Sequence, residues 1–183
     1  DAQESRGLGD VYKRQIIKYK EQYMRFWICC GYYASIGLLF FIIGRILPKK
    51  WFDYNAFPYK AFDCEKDGKI YEKIAISKWQ SKVPDMSRIF PMLMPKKRMV
   101  ATDPDTLLLM VRETCIAELI HVLLSICGLF GIYIMPGVWG VLFYAAYFLL
   151  GNLPFILIQR YNRPRLVRIY DCLLYTSPSP RDS

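Results

Sequence analysis

Two long apolar runs joined by Pro136-Gly137 constrain this chain more than any other feature. The runs, 114–135 and 138–158, are each about 21 residues long, and at about 1.5 Å rise per residue either crosses a hydrocarbon core of about 30 Å. They predict a transmembrane helical hairpin. A third run, 26–47, carries Arg45 as its only charge. It exceeds the roughly 7–15 residues of a signal-peptide core, so it predicts a retained anchor helix.

The residues outside these runs fit the same class. Hydrophobic residues make up 54% and charged residues 22% of the 183, and the apolar ones are gathered into blocks. The expected fold is an all-α membrane protein of about three transmembrane helices, with a polar, cytoplasmic or interfacial segment at 48–112. The formal charge of +9 sits mostly at the edges of the apolar blocks, which makes the bilayer the expected partner and nucleic acid an unexpected one. Segment 48–112 has 13 Lys and Arg, the exit has Arg160, Arg163, Arg165 and Arg168, and the Pro136-Gly137 turn has none. The positive-inside rule therefore places the polar segment and the exit in the cytoplasm. Three spans would then put Lys18, Lys20 and Arg25 outside, a conflict that a re-entrant 26–47 would remove.

Local signals fill in the polar segment. Residues 69–79, after the Asp67-Gly68 turn, predict a short helix. The proline-bracketed 89–95 predicts a dip into the interface. Asp103 as cap, Pro104 at the first helical position and Asp105 predict a helix that continues into the hairpin. The six cysteines lack C-x-x-C spacing, so neither a disulfide framework nor a structural metal is expected. Both ends, 1–15 and 172–183, resemble translated sequencing-adapter read-through, which leaves one expected domain over 16–171.

Ionisable groups inside a span cost free energy and mark function by default. On an ideal helix Glu113, His121 and Glu118 fall at about 0°, 80° and 140°, within one face. Glu118 and His121 lie about 6 and 10 Å from the inner end of their run, and Asn152 about 9 Å from the inner end of the other. The three therefore share one depth. One reading makes them structural glue between helices, the other a site. A metal held by Glu113, Glu118 and His121 is disfavoured, because the chain has no second imidazole. At the exit, Gln159, Arg160, Asn162 and Arg163 form a dense set of donors for a sugar, phosphate or carboxylate head.

Three blocks together resemble the glycosyl-4,4'-diaponeurosporenoate acyltransferase family. They are Phe62-Asp63-Cys64-Glu65-Lys66-Asp67-Gly68-Lys69 with Lys78-Trp79-Gln80-Ser81-Lys82; Glu113 to His121; and Asn152-Leu153-Pro154 with Gln159 to Leu166. Arg98 is a further matching position. The resemblance implies a bacterial, multi-pass cell-membrane enzyme that esterifies a fatty acyl group onto the sugar of a glycosylated carotenoid acid or related glycolipid, without a cofactor. It implies His121 as general base oriented by Glu118 or Glu113, and Asn152, Gln159, Arg160, Asn162 and Arg163 as substrate contacts. Lys78, Trp79, Lys82 and Arg98 would serve the substrates from the polar segment, including an anionic acyl donor such as acyl-CoA. The alternative is a noncatalytic accessory or scaffold protein. Transport is disfavoured, since the outer halves of the hairpin offer only Ser125, Tyr133, Tyr144 and Tyr147 as polar side chains.

Overall fold

The computed structural model describes residues 2–83 and 103–176. Among them the regular elements are all helical: α1 (Ala2–Ile46), α2 (Ile76–Trp79), α3 (Pro104–Gly128), α4 (Gly131–Ile134), α5 (Val138–Ala146) and α6 (Leu153–Thr176). Short 3₁₀ turns fill the polar segment, and a wide π-helical turn, Tyr147–Asn152, joins α5 to α6. Three helical stretches, Tyr12–Ile46, Pro104–Ile134 and Val138–Tyr175, are long and apolar enough to cross a membrane. The dip expected at 89–95, Arg98 and the tail from 177 lie outside the described residues.

Helix α3 begins at its expected cap. The Asp103 carboxylate accepts from the backbone N–H of Asp105 at 3.3 Å and of Thr106 at 3.2 Å, with Pro104 at the first helical position. The helix then runs without a break into the apolar stretch. It stops at Gly128, where the carbonyls of Cys127 and Gly128 accept the hydroxyls of Tyr32 (2.8 Å) and Tyr33 (3.0 Å) from α1. Gly131 makes this approach possible, since a Cβ there would stand 2.2 Å from the Tyr33 hydroxyl.

Helix α1 lies antiparallel to α3. Arg25 donates to the Ile134 carbonyl at 3.3 Å, Gly44 packs on Ile120, and Lys49 reaches Glu113 past the other end. The 26–47 run is part of one uninterrupted helix, so the re-entrant reading fails. Lys18, Lys20 and Arg25 therefore stay at the end of the molecule that holds the Pro136-Gly137 turn. Cys29, Tyr33 and Ile36 of α1 pack with Cys115, Ile116, Ile120 and Leu124 of α3, while Leu38, Leu39, Ile42, Leu142, Leu149 and Leu150 point outward. So broad an exposed apolar girdle suits lipid and not water.

The 69–79 segment departs from a single helix. It forms a 3₁₀ turn, Lys69–Ile74, breaks at Ala75 in the left-handed region (φ 52°), and resumes as α2. The Trp79 indole N–H donates to the Ile74 carbonyl at 3.0 Å, which satisfies a backbone group at that break.

At the hairpin tip a Cβ on Gly140 would lie 1.7 Å from the Met135 carbonyl oxygen. The clash is with backbone, so no rotamer relieves it. Gly140→Ala is expected to cost about 1–3 kcal/mol, read as a lower unfolding temperature of the purified chain in detergent. Gly31→Ala, where nothing stands within 4 Å, should leave that temperature unchanged or raise it.

Candidate active site

The two arms of the hairpin meet in a polar contact set by the π-helical turn. Pro154 has no N–H for the carbonyl four residues before it, and the wide turn 147–152 absorbs that break in the helical ladder. Asn152 emerges from the turn almost fully enclosed, at 1% exposure. Its amide nitrogen donates to the Tyr147 carbonyl at 3.2 Å, and its Oδ1 lies 3.1 Å from His121 Nδ1. A carbonyl only accepts, so the amide nitrogen must face Tyr147 and Oδ1 must face the imidazole. Nδ1 therefore carries a proton, and in the neutral ring this tautomer leaves the lone pair on Nε2. The His121 ring stacks on Phe155 at 4.6 Å, and Nε2 has no hydrogen-bond partner among the described residues.

One turn nearer the polar segment lies a buried ion-pair network. Glu118 accepts from Arg160 Nη1 and Arg163 Nη2, both at 2.5 Å. Arg160 also grips Glu65 in a two-point contact, Nε to Oε1 at 2.5 Å and Nη2 to Oε2 at 3.0 Å, and donates to the Pro58 carbonyl at 3.1 Å. Arg163 donates to the Thr114 hydroxyl and carbonyl and to the Tyr59 carbonyl, at 2.7 to 3.0 Å. Glu65, Glu118 and Arg163 are all under 8% exposed. Charges this deep are tolerated because each guanidinium has two or more oxygen partners.

The network fastens the polar segment to the hairpin. Glu65 is its anchor, reinforced by the Phe62 N–H at 2.8 Å and by the Tyr71 hydroxyl. Burial pushes the Glu65 carboxyl up, but the hydrogen bonds from Arg160, Tyr71 and the Phe62 N–H outweigh it and hold the group below its usual value. Glu65 is thus a carboxylate at neutral pH, and its pairing adds stability that disappears as pH falls through that lowered value. Burial and the neighbouring Glu65 push the Tyr71 hydroxyl up to about 12. Outside this cluster, Arg165 pairs with Glu72 at 2.7 Å and lies over the Tyr161 ring. Gly68 (φ 85°) lets the loop approach α6, where an added Cβ would stand 3.3 Å from the Tyr161 carbonyl.

The structure sorts the residues picked from sequence. His121 and Asn152 touch, and the imidazole's partner is the Asn152 amide where a carboxylate had been expected. Glu118 joins Arg160 and Arg163 in the network. Glu113 pairs with Lys49 at the rim, about 12 Å along the helix from His121. Gln159 and Asn162 are half-buried on α6, and their side chains make no hydrogen bond among the described residues. Lys78 and Lys82 are exposed, and Trp79 is tied to its own segment. Among the described residues no cluster of three His, Cys, Asp or Glu side chains could hold a metal ion.

Geometry alone does not choose a reaction for this site. Residues 48–172 match the family described as glycosyl-4,4'-diaponeurosporenoate acyltransferase. The chain belongs to that family. Relatives of that name from Staphylococcus aureus strains MRSA252 and USA300 are each 31% identical over 144 residues, covering 77% of this chain and 85% of theirs. The relative from strain N315 is 29% identical over 152 residues. No solved structure matches.

The matched span of this acyltransferase contains His121, Asn152 and the whole ion-pair network. Sequence reasoning missed Glu65, Thr114 and Tyr59 in it. A usable signal existed for Glu65: two arginines three residues apart in apolar surroundings need more negative charge than Glu118 supplies, and the acyltransferase-like block at 62–69 held a carboxylate to spare.

Proposed function

We propose that this acyltransferase is an integral, multi-pass protein of the bacterial cell membrane that esterifies a fatty acyl group onto a hydroxyl of a sugar carried by a long apolar chain, a glycosylated carotenoid acid or related glycolipid. The observation that carries this reading is His121, whose Nδ1–H is held by Asn152 while Nε2 has no partner among the described residues. Nε2 takes the proton of the sugar hydroxyl as that oxygen bonds the acyl carbon. The tetrahedral adduct then collapses, the bond from the acyl carbon to the donor's sulfur breaks, and the imidazolium returns its proton to the departing thiolate. Nothing is oxidised, and His121 ends neutral.

The surrounding residues divide the remaining work. Arg160 uses four of its five N–H groups in the network, which leaves one for the substrate. That donor, with Gln159 and Asn162, suits the sugar hydroxyls and the acyl oxyanion. Asn152 acts on the imidazole, since both of its polar groups are committed inside the protein. Glu118 and Arg163 form the closed contact that a scaffold role requires, and we assign them to holding the helices and the loop together. Glu113 closes the rim with Lys49. Lys78 and Lys82 add to a positive field over the cytoplasmic face, where an anionic donor would arrive.

The test is to express the chain in cells that accumulate the glycosylated carotenoid acid and to analyse extracted lipids by mass. A new species heavier by one fatty acid less one water is expected. Well-inserted protein without that species would overturn the assigned acceptor.

A further inference from the structure

A cleft of about 260 Å³ opens between α6 and the loop at 54–67, beside the ion-pair network and apart from His121. Tyr54, Asn55, Lys60, Asp67, Arg160 and Arg168 are on its wall. Charge on that wall is unevenly matched. Arg160 is neutralised by Glu65 and Glu118. Among the described residues the Lys60 ammonium has no carboxylate partner, and Arg168 reaches only the backbone carbonyls of Pro164 and Asp67, both at 3.4 Å. Against these two cations the wall offers one carboxylate outside the network, Asp67. The cleft therefore attracts anions, with Tyr54, Asn55 and Asp67 placed to meet hydroxyl or amide groups alongside them.

Depth narrows the ligand. Arg160 and Arg168 follow Asn152 by eight and sixteen residues, about 12 and 24 Å along the axis of α6. A sugar with its hydroxyl on His121 reaches Arg160 at the near wall of this cleft and leaves the part at Arg168, about 12 Å further along α6, unfilled. Its occupant must keep its anionic end far from the carbon that reacts. A pantetheine thioester has that form, with phosphates at one end of a flexible arm and the acyl thioester at the other.

We propose that this cleft holds the phosphate end of a pantetheine thioester acyl donor of the acyl-coenzyme A type, with Lys60 and Arg168 pairing with its phosphates and the arm lying along α6 toward His121. The destination of the arm rests on the acyl-transfer reading above. The anion site itself rests on the cleft alone.

Coenzyme A is the probe, titrated into the purified full chain in nanodiscs of neutral phosphatidylcholine at two salt concentrations. Saturable binding that weakens with salt is expected, with Kd raised by about tenfold or more in Lys60→Ala/Arg168→Ala. Lys50→Ala/Lys73→Ala removes two exposed charges elsewhere and should leave Kd unchanged. His121→Gln should bind normally while losing transfer, which separates this proposal from the reaction. Ester formation by a chain that shows no coenzyme A binding, or equal binding by the Lys60/Arg168 variant, would overturn the donor site and leave the reaction standing. Loss of coenzyme A binding on adding phosphatidylglycerol would assign the cleft to a lipid headgroup and also overturn the proposal.

Discussion

His121→Gln is expected to lower acyl transfer by about a hundredfold or more, the usual contribution of a positioned general base, with membrane insertion and unfolding temperature unchanged. Glutamine keeps the length and a hydrogen bond to Asn152 but has no basic nitrogen. The companion variants locate the effect. Asn152→Asp still offers an oxygen to Nδ1–H and should retain more activity than Asn152→Leu, which removes the group that fixes the tautomer. Mass analysis of the ester in cells and thermal unfolding in detergent read the two quantities separately. A fully active His121→Gln protein would remove His121 from the reaction.

Glu118→Ala has the opposite signature. It strips one carboxylate from two guanidinium groups and leaves Arg163, at 3% exposure, without an ionic partner among the described residues. Breaking one side of a buried pair typically costs about 3–5 kcal/mol, because the remaining charge stays desolvated. The loss should appear as a much lower unfolding temperature, and, because these charges are shielded from solvent, added salt should change it little. Activity should fall only as far as the folded fraction does. A variant as stable as the parent, but inactive, would place Glu118 in the chemistry and remove it from the scaffold.

Much of this architecture is readable from hydropathy. Spans, hairpin and the Asp103 cap each follow from a local signal: run length, a Pro-Gly turn, a side chain placed to accept the first free N–H groups. The site was readable in part for the same reason. Glu118, His121 and Asn152 stand out because polar groups are costly in an apolar run, and helical geometry puts them at one depth. What the pattern cannot supply is partner choice. A 100° periodicity places Glu118 and His121 near each other on α3, yet which one meets Asn152 and which meets the arginines depends on how α6 is rotated against α3. Glu65 is hidden for a related cause. It comes from an irregular, charged loop in which many carboxylates look alike, and only the three-dimensional return of that loop to α6 singles it out. The break at Ala75 is invisible too, since alanine favours helix and its left-handed conformation is imposed by tertiary context.

The π-helical turn at 147–152 makes the second arm of the hairpin two helices of different angular phase on one axis. Accommodating one extra residue in a single turn rotates everything after it by about 100° relative to everything before it. Upstream, α5 can turn Val138, Val141 and Leu142 toward lipid. Downstream, Asn152 and Arg163 turn inward against α3. A chain that closed this turn by losing one residue would keep the same hydropathy profile and the same composition of charges, yet would aim its polar set at the hydrocarbon. The position of a single surplus residue thus decides whether the arm builds a site or merely crosses the bilayer.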